Sequence, residues 1–209
     1  MFERFLLEDR IAVLASSTGI GIYDFDFRAF FRCRGLWEAT EQPFIARIGA
    51  FENYDTWYHS QVEEGWIPLH TPQEHRLCSQ LQEWYPLISN LTPRSRVYHC
   101  KPTPEQIEEE FGWPVFVKGV RQTSRHQRRL SIIRSAKDFS EAMEQYEADP
   151  ILQWQPIVVR EYIPLRVVED VVPDRIPSSF EFRTFWSLLV ARANVRLVAR
   201  RTQHSLKSD

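Results

Sequence analysis

The residues best suited to chemistry begin with a lysine at the end of an apolar run. Lys118 closes the sequence Val-Phe-Val-Lys, and Gly119 follows it. A lysine at the rim of a buried strand directs a compact positive charge into a cleft, and a neighbouring glycine lets a ligand approach the backbone. This pattern favours a polyphosphate ligand. The alternative is a lysine that extends from a strand end to solvent without binding anything.

A basic segment follows this lysine. Residues 118–137 hold seven cations and no acid. We interpret the part between two predicted strands as a loop over a sheet, and the side chains expected to cover phosphates are Arg121, Ser124, Arg125 and His126. A solvated basic loop is the first alternative. An RNA-binding patch is the second, and the absence of Phe, Tyr and Trp from the run disfavours it because bases stack on such rings.

The motif VVREYIP, at residues 158–164, has the composition of an adenine site. Arg160, Glu161, Tyr162 and Ile163 stand at the end of an apolar strand, where a carboxylate and backbone groups can meet a flat heterocycle. Adenine needs an acceptor for its amino group, a backbone donor, and apolar faces above and below. The alternative is a plain edge strand with an exposed Arg160–Glu161 pair, which stabilises a protein little.

The motif SFEFRTF, at residues 179–185, combines an acid and an arginine. Glu181 and Arg183 are two residues apart and therefore share one face of a predicted strand. The carboxylate suits a metal or a substrate, and the arginine suits a bidentate contact to a phosphoryl or carboxylate group. Taken alone, this motif favours a surface ion pair.

A frame of helices and strands must bring these residues together. Two helices are predicted to begin with a capping box and a proline, at residues 71–74 and 103–106. The first is predicted to end at Pro86 and the second at Gly112, and a third helix is predicted over residues 136–148. Strands are predicted over residues 10–15, 114–119, 130–133, 157–163, 167–172 and 179–186, with strand and loop in the aromatic-rich residues 22–58.

In this order the four motifs resemble the ATP-grasp superfamily. The similarity covers residues 93–186 and is greater to the divergent clade whose phosphate loop carries arginine and lysine in place of glycines. The resemblance implies an α/β (α+β) fold. It places a leading α/β domain at residues 1–103 and an ATP-grasp nucleotide-binding region at residues 104–186.

The resemblance also implies roles for single residues. Lys118 matches the lysine that contacts nucleotide phosphates, and Glu161, Tyr162 and Ile163 match the adenine hinge. Arg183, with Glu181, matches the strand near the transferred phosphate. The implied cofactors are ATP and Mg²⁺. The implied reaction joins a carboxylate to an amine through an acyl-phosphate, with both substrates unknown.

The last 23 residues depart from the family pattern. Residues 187–209 carry a charge of +4, whereas the preceding 186 residues carry −6. After Glu181 the only acid is Asp209, so the carboxylates that two bridging metal ions need are missing and the metal ligands are unknown. We expect an atypical basic tail, a truncated or frame-shifted second half, and weak or absent catalysis. The alternative function is a non-catalytic basic module that binds RNA or another polyanion.

Composition excludes several classes of protein. No apolar run reaches the roughly 18 residues that span a membrane, and the start of the chain lacks the features of a secretory signal. Three scattered cysteines favour a reducing cytoplasm over a disulfide scaffold. A net charge of −2 makes nucleic acid an improbable partner. An unfinished sheet with exposed edges favours oligomerisation.

Overall fold

The structure is a computed structural model, and it describes residues 2–17, 24–121 and 128–166. Within these ranges the chain forms helices, one mixed sheet and one antiparallel sheet, which confirms the α/β (α+β) class. The strands predicted at residues 167–172 and 179–186 lie outside the described residues. No helix in the described ranges is both long and apolar enough to cross a membrane.

The first sheet has four strands in the order β3-β1-β2-β4. Strands β1 and β2 are antiparallel, β3 is antiparallel to β1, and β4 runs parallel to β2. Glu8 and Asp9 both have positive φ in the β1–β2 turn, and Arg10 N donates to Leu7 O at 3.1 Å. This geometry is that of the type I′ turn, whose twist matches a hairpin. The strands are β1 (Phe2–Leu7), β2 (Ile11–Ser16), β3 (Cys33–Gly35) and β4 (Ile45–Arg47).

Helix α1 (Tyr54–Glu63) packs against the first sheet. Asn53 caps it by accepting a hydrogen bond from Thr56 N at 3.1 Å. The expectation of strand and loop over residues 22–58 is therefore wrong for the first turns of this helix. The buried cluster between the helix and the sheet consists of Ala12, Leu14, Phe44, Tyr54, Trp57 and Trp66.

The helix predicted from residue 71 is in fact two helices. The capping box of Thr71 and Glu74 is confirmed at the start of α2 (Pro72–Ser79). Gln80 then adopts an extended conformation, with φ −102° and ψ 122°, and α3 (Leu81–Ile88) begins anew. Pro86 therefore lies inside α3, and the prediction that it ends the helix is wrong.

The second sheet has four strands in the order β5-β8-β6-β7, and each neighbouring pair is antiparallel. Its strands are β5 (Ser95–Tyr98), β6 (Val115–Gly119), β7 (Ile132–Ile133) and β8 (Ile157–Glu161). Leu130 and Ser131, predicted as strand, belong instead to the short helix α5 (Arg128–Ser131). The paired part of β7 begins at Ile132, which lies opposite Phe116 of β6.

Two helices cover one face of the second sheet. Helices α4 (Pro104–Glu110) and α6 (Ala136–Ala148) confirm the remaining helix predictions, including the capping box at Thr103 and the positive φ of Gly112. The other sheet face packs against α3 through Leu81, which joins Val120 and Val158 in a smaller cluster. The larger cluster under α4 and α6 consists of Ile107, Val115, Val117, Leu130, Ile133, Phe139, Ala142, Met143, Tyr146, Leu152 and Val159.

All of these strands and helices belong to one compact unit, Met1–Ile163, and Pro164–Asp209 forms a second unit. The division into residues 1–103, 104–186 and 187–209 remains a prediction.

Candidate functional site

Lys118 lies on the sheet face away from α4 and α6. Along β6, Val115, Val117 and Gly119 are buried, and Lys118 is half-buried between them. Because side chains alternate along a strand, Lys118 points to the opposite face from the two valines of the large cluster. The ammonium Nζ donates to the carbonyl of Val120 at 3.2 Å. The charge is therefore held near the point where the basic segment begins.

Arg160 lies on the same face as Lys118. Lys118 is paired with Val158 and Arg160 with Phe116, so the two cations are diagonal neighbours across β6 and β8. The Cα atoms of such neighbours lie about 7–8 Å apart. The two charged groups have different partners, the carbonyl of Val120 for Lys118 and the hydroxyls of Thr92 and Ser95 for Arg160, and both add positive charge to this face.

The side chain of Gln155 fixes the start of the basic segment. Its Oε1 accepts from Arg121 N at 2.9 Å and its Nε2 donates to Ile151 O at 2.9 Å. The side chain is buried, and a Cβ atom on Gly119 would lie 2.6 Å from Oε1. Gly119 is thus required by close packing at the strand end, and the Gln155 side chain fixes the backbone at Arg121.

Arg121 contacts the segment before α1. Its guanidinium donates to Glu52 O at 3.1 Å and lies 5.6 Å from the ring centroid of Trp154. Burial lowers the pKa of Arg121, and the nearby acids Asp55 and Glu52 oppose this effect. The structure therefore joins Arg121, just beyond the end of β6, to the segment that precedes α1. The other predicted phosphate contacts, Ser124, Arg125 and His126, lie outside the described residues.

Glu161 is on the opposite sheet face from Lys118 and Arg160. It is the last residue of β8 and is paired with Val115, which belongs to the face under α4 and α6. Its backbone N donates to Arg94 O at 2.8 Å. The structure does not bring the Glu161 carboxylate together with the Lys118 ammonium on one face. Tyr162 and Ile163 follow the strand.

The remaining sequence predictions are partly outside the described residues. Glu181 and Arg183 are not described, and the described residues contain no group of three His, Cys, Asp or Glu side chains suited to a metal. Among the tryptophans of the leading region, Trp57 and Trp66 are in the core, whereas Trp37 is 92% exposed.

Three features were missed by sequence reasoning. Gln155 is recognisable only from its tertiary contacts. The ring of His75 stacks on Tyr54 with centroids 3.7 Å apart, and this pair joins α1 to α2. Arg160 donates to two hydroxyl groups: Thr92 Oγ1, just before β5, at 2.6 Å and Ser95 Oγ, at the start of β5, at 2.8 Å.

No protein-family profile and no curated protein matches the chain. Among solved structures, the chain is similar to the RimK domain protein ATP-grasp from Sphaerobacter thermophilus, with 13% identity and a TM-score of 0.42. The similarity covers 62% of this chain and 50% of that one, so the chain spans about half of the matched structure.

Proposed function

We propose that the protein binds ATP, with the nucleotide phosphates at Lys118. The observation that carries the proposal is the position of this half-buried lysine on a cationic sheet face, beside the fixed start of the basic segment. A lysine ammonium donates hydrogen bonds to phosphate oxygens, and one donor of Lys118 is directed at Val120 O. Glu161 ends the neighbouring strand β8, and Tyr162 and Ile163 follow it. We propose that the backbone of residues 161–163 and the side chain of Tyr162 contact adenine.

The finer activity rests on the sequence motifs. We propose a protein of the ATP-grasp carboxylate–amine ligase type, in which Arg183, with Glu181, stabilises charge on the transferred phosphoryl group. The carboxylate and amine substrates are small molecules of unassigned identity. The thiols of Cys33, Cys78 and Cys100 are unpaired, which supports a reducing compartment such as the cytoplasm.

Magnesium does not fit the described residues. They offer no cluster of carboxylates, and the proposed phosphate face carries cations. Hard cations such as Mg²⁺ need oxygen ligands. We therefore propose nucleotide binding without assigning a metal site, and we expect weak or absent turnover of ATP.

Calorimetric titration with ATP tests the proposal. Lys118→Ala should weaken ATP binding about 10- to 100-fold, since hydrogen bonds to charged groups contribute about 1.5–3 kcal/mol. Lys137→Ala is the matched control, because Lys137 is an exposed lysine on α6, 3.7 Å from Glu141. Equal affinity of the two variants for ATP would contradict the proposal. Stabilisation of both variants by heparin to the same extent as by ATP would instead support the polyanion-binding alternative.

A further inference from the structure

Arg160 is a half-buried cation whose described partners are all neutral. Its Nε donates to Ser95 Oγ and its terminal nitrogen Nη2 donates to Thr92 Oγ1. Burial lowers the pKa of Arg160, and Tyr85 is the group that opposes this effect. Within residues 2–17, 24–121 and 128–166, no carboxylate forms an ion pair with Arg160. A partly desolvated charge without a counter-charge is an arrangement that an anionic ligand would stabilise.

The hydroxyl groups around Arg160 add further donors. Thr92 Oγ1 accepts a hydrogen bond from Arg160, and Tyr85 Oη accepts one from Ser95 N at 2.9 Å. Neither hydroxyl donates its own proton to an acceptor in the described part of the chain. Ser95 differs, because its hydroxyl proton is donated to Pro93 O at 2.8 Å. Two hydroxyl protons and the unused guanidinium N–H groups therefore remain for a ligand.

From these contacts we propose that Arg160, Thr92 and Tyr85 form a binding site for an oxyanion. The ligand group is a carboxylate or a phosphoryl group, since both present adjacent oxygens that match the fork of a guanidinium. All three side chains are partly exposed, so a small ligand reaches them from solvent. The proposal goes beyond nucleotide binding at Lys118 and does not depend on it.

Arg96, on the neighbouring strand β5, is an arginine of the same sheet that has a carboxylate partner. Its guanidinium donates to Glu110 Oε2 at 2.7 Å, and Tyr98 Oη donates to the same carboxylate oxygen at 2.7 Å. Arg96 already has the counter-charge that Arg160 lacks. It is therefore the matched control for the proposed site.

Titration with inorganic phosphate and, separately, with acetate tests the site. The readouts are the nuclear magnetic resonance signals of the backbone N–H groups around the site, which every variant keeps, and of the Arg160 Nε–H group in the proteins that retain it. We expect Arg160→Gln to weaken binding of the preferred anion at least about 10-fold, and Thr92→Val and Tyr85→Phe each about 3- to 10-fold. Arg96→Gln should leave the affinity unchanged. Arg160→Lys, which keeps the charge but loses the fork, should bind with intermediate affinity.

The outcomes separate the sources of the anion. Preference for phosphate, with displacement by ATP, identifies the group as part of a nucleotide. Preference for acetate, with ATP bound at the same time, identifies a substrate carboxylate. Unchanged anion affinity in Arg160→Gln, in a variant whose thermal unfolding shows that it is folded, would overturn the proposal. An equal loss in Arg96→Gln, or no response of Arg160 to either anion, would overturn it as well.

Discussion

The ring of His75 is held against Tyr54 with the two planes only 3° apart. Burial lowers the pKa of His75, and the positive charges of Arg121 and His70 lower it further. Arg76 acts in the same direction, and Asp55 is the acid that opposes them. Tyr54 donates to His70 O at 2.8 Å, and its burial raises its pKa to about 12. The neutral form of His75 is therefore the form that this contact favours.

We predict that this contact weakens in acid. Because the folded protein binds the His75 proton less readily than the unfolded chain does, the free energy of unfolding falls as the pH drops below the ordinary histidine pKa of about 6.5. The fall ends once the pH is below the folded pKa. Urea unfolding between about pH 5 and 8, the range in which histidine titrates, measures how the free energy of unfolding changes with pH. His75→Gln should flatten this slope, with the exposed His99→Gln as control. Identical slopes in wild type and His75→Gln would contradict the prediction.

The turn between α6 and β8 controls the end of β6 through Gln155. Adding a methyl group at Gly119 would drive it into the Gln155 amide, because the approach to Oε1 is 2.6 Å. We predict that Gly119→Ala costs about 1–3 kcal/mol of unfolding free energy, as overpacking usually does. It should also weaken ATP binding, since the hydrogen bond from Arg121 N to Gln155 would be displaced.

A double-mutant cycle separates this clash from a general loss of stability. In the Gln155→Ala background the colliding amide is absent, so Gly119→Ala should cost at least about 1 kcal/mol less than in the wild type. Chemical denaturation of the four proteins provides the coupling energy. Strictly additive costs would show that Gly119 is small for some other reason.

Helix starts and buried helix faces were predictable from local sequence. The capping boxes at Thr71 and Thr103 join residues three apart, so no tertiary information is needed. Helix α1 was not predicted because its buried positions, Tyr54, Trp57 and Gln61, include a polar residue and give a weak apolar period. The break between α2 and α3 at Gln80 was not predicted either, because no Gly or Pro stands there to indicate the end of a helix.

The site was predictable in its residue types but not in its geometry. Lys118 at the end of an apolar strand followed directly from the sequence. The face on which Glu161 lies depends on pairing between β6 and β8, which are about 40 positions apart in the chain, and register is set only when the sheet forms. The hydroxyl partners of Arg160 come from Thr92 and Ser95, and a sequence pattern does not report contacts of that range.

At the scale of the whole molecule, the buried clusters lie entirely within one unit. All three clusters end by residue 159, and the unit that contains them is Met1–Ile163. Strand β8 is essential to that unit because it lies between β5 and β6 and is paired with both. Folding of this part of the chain should therefore depend on β8 and not on the residues that follow it.

We predict that a chain cut after Ile163 folds by itself, whereas a chain cut after Pro156 loses the second sheet. The longer piece keeps every strand pair of both sheets, and the shorter one loses the central strand and leaves β5 without a partner. Circular dichroism and urea unfolding of the two pieces measure the difference. The longer piece should unfold in one cooperative transition, as single domains of this size usually do. An unfolded 1–163 piece, or a 1–156 piece with the same transition, would show that the core depends on other parts of the chain.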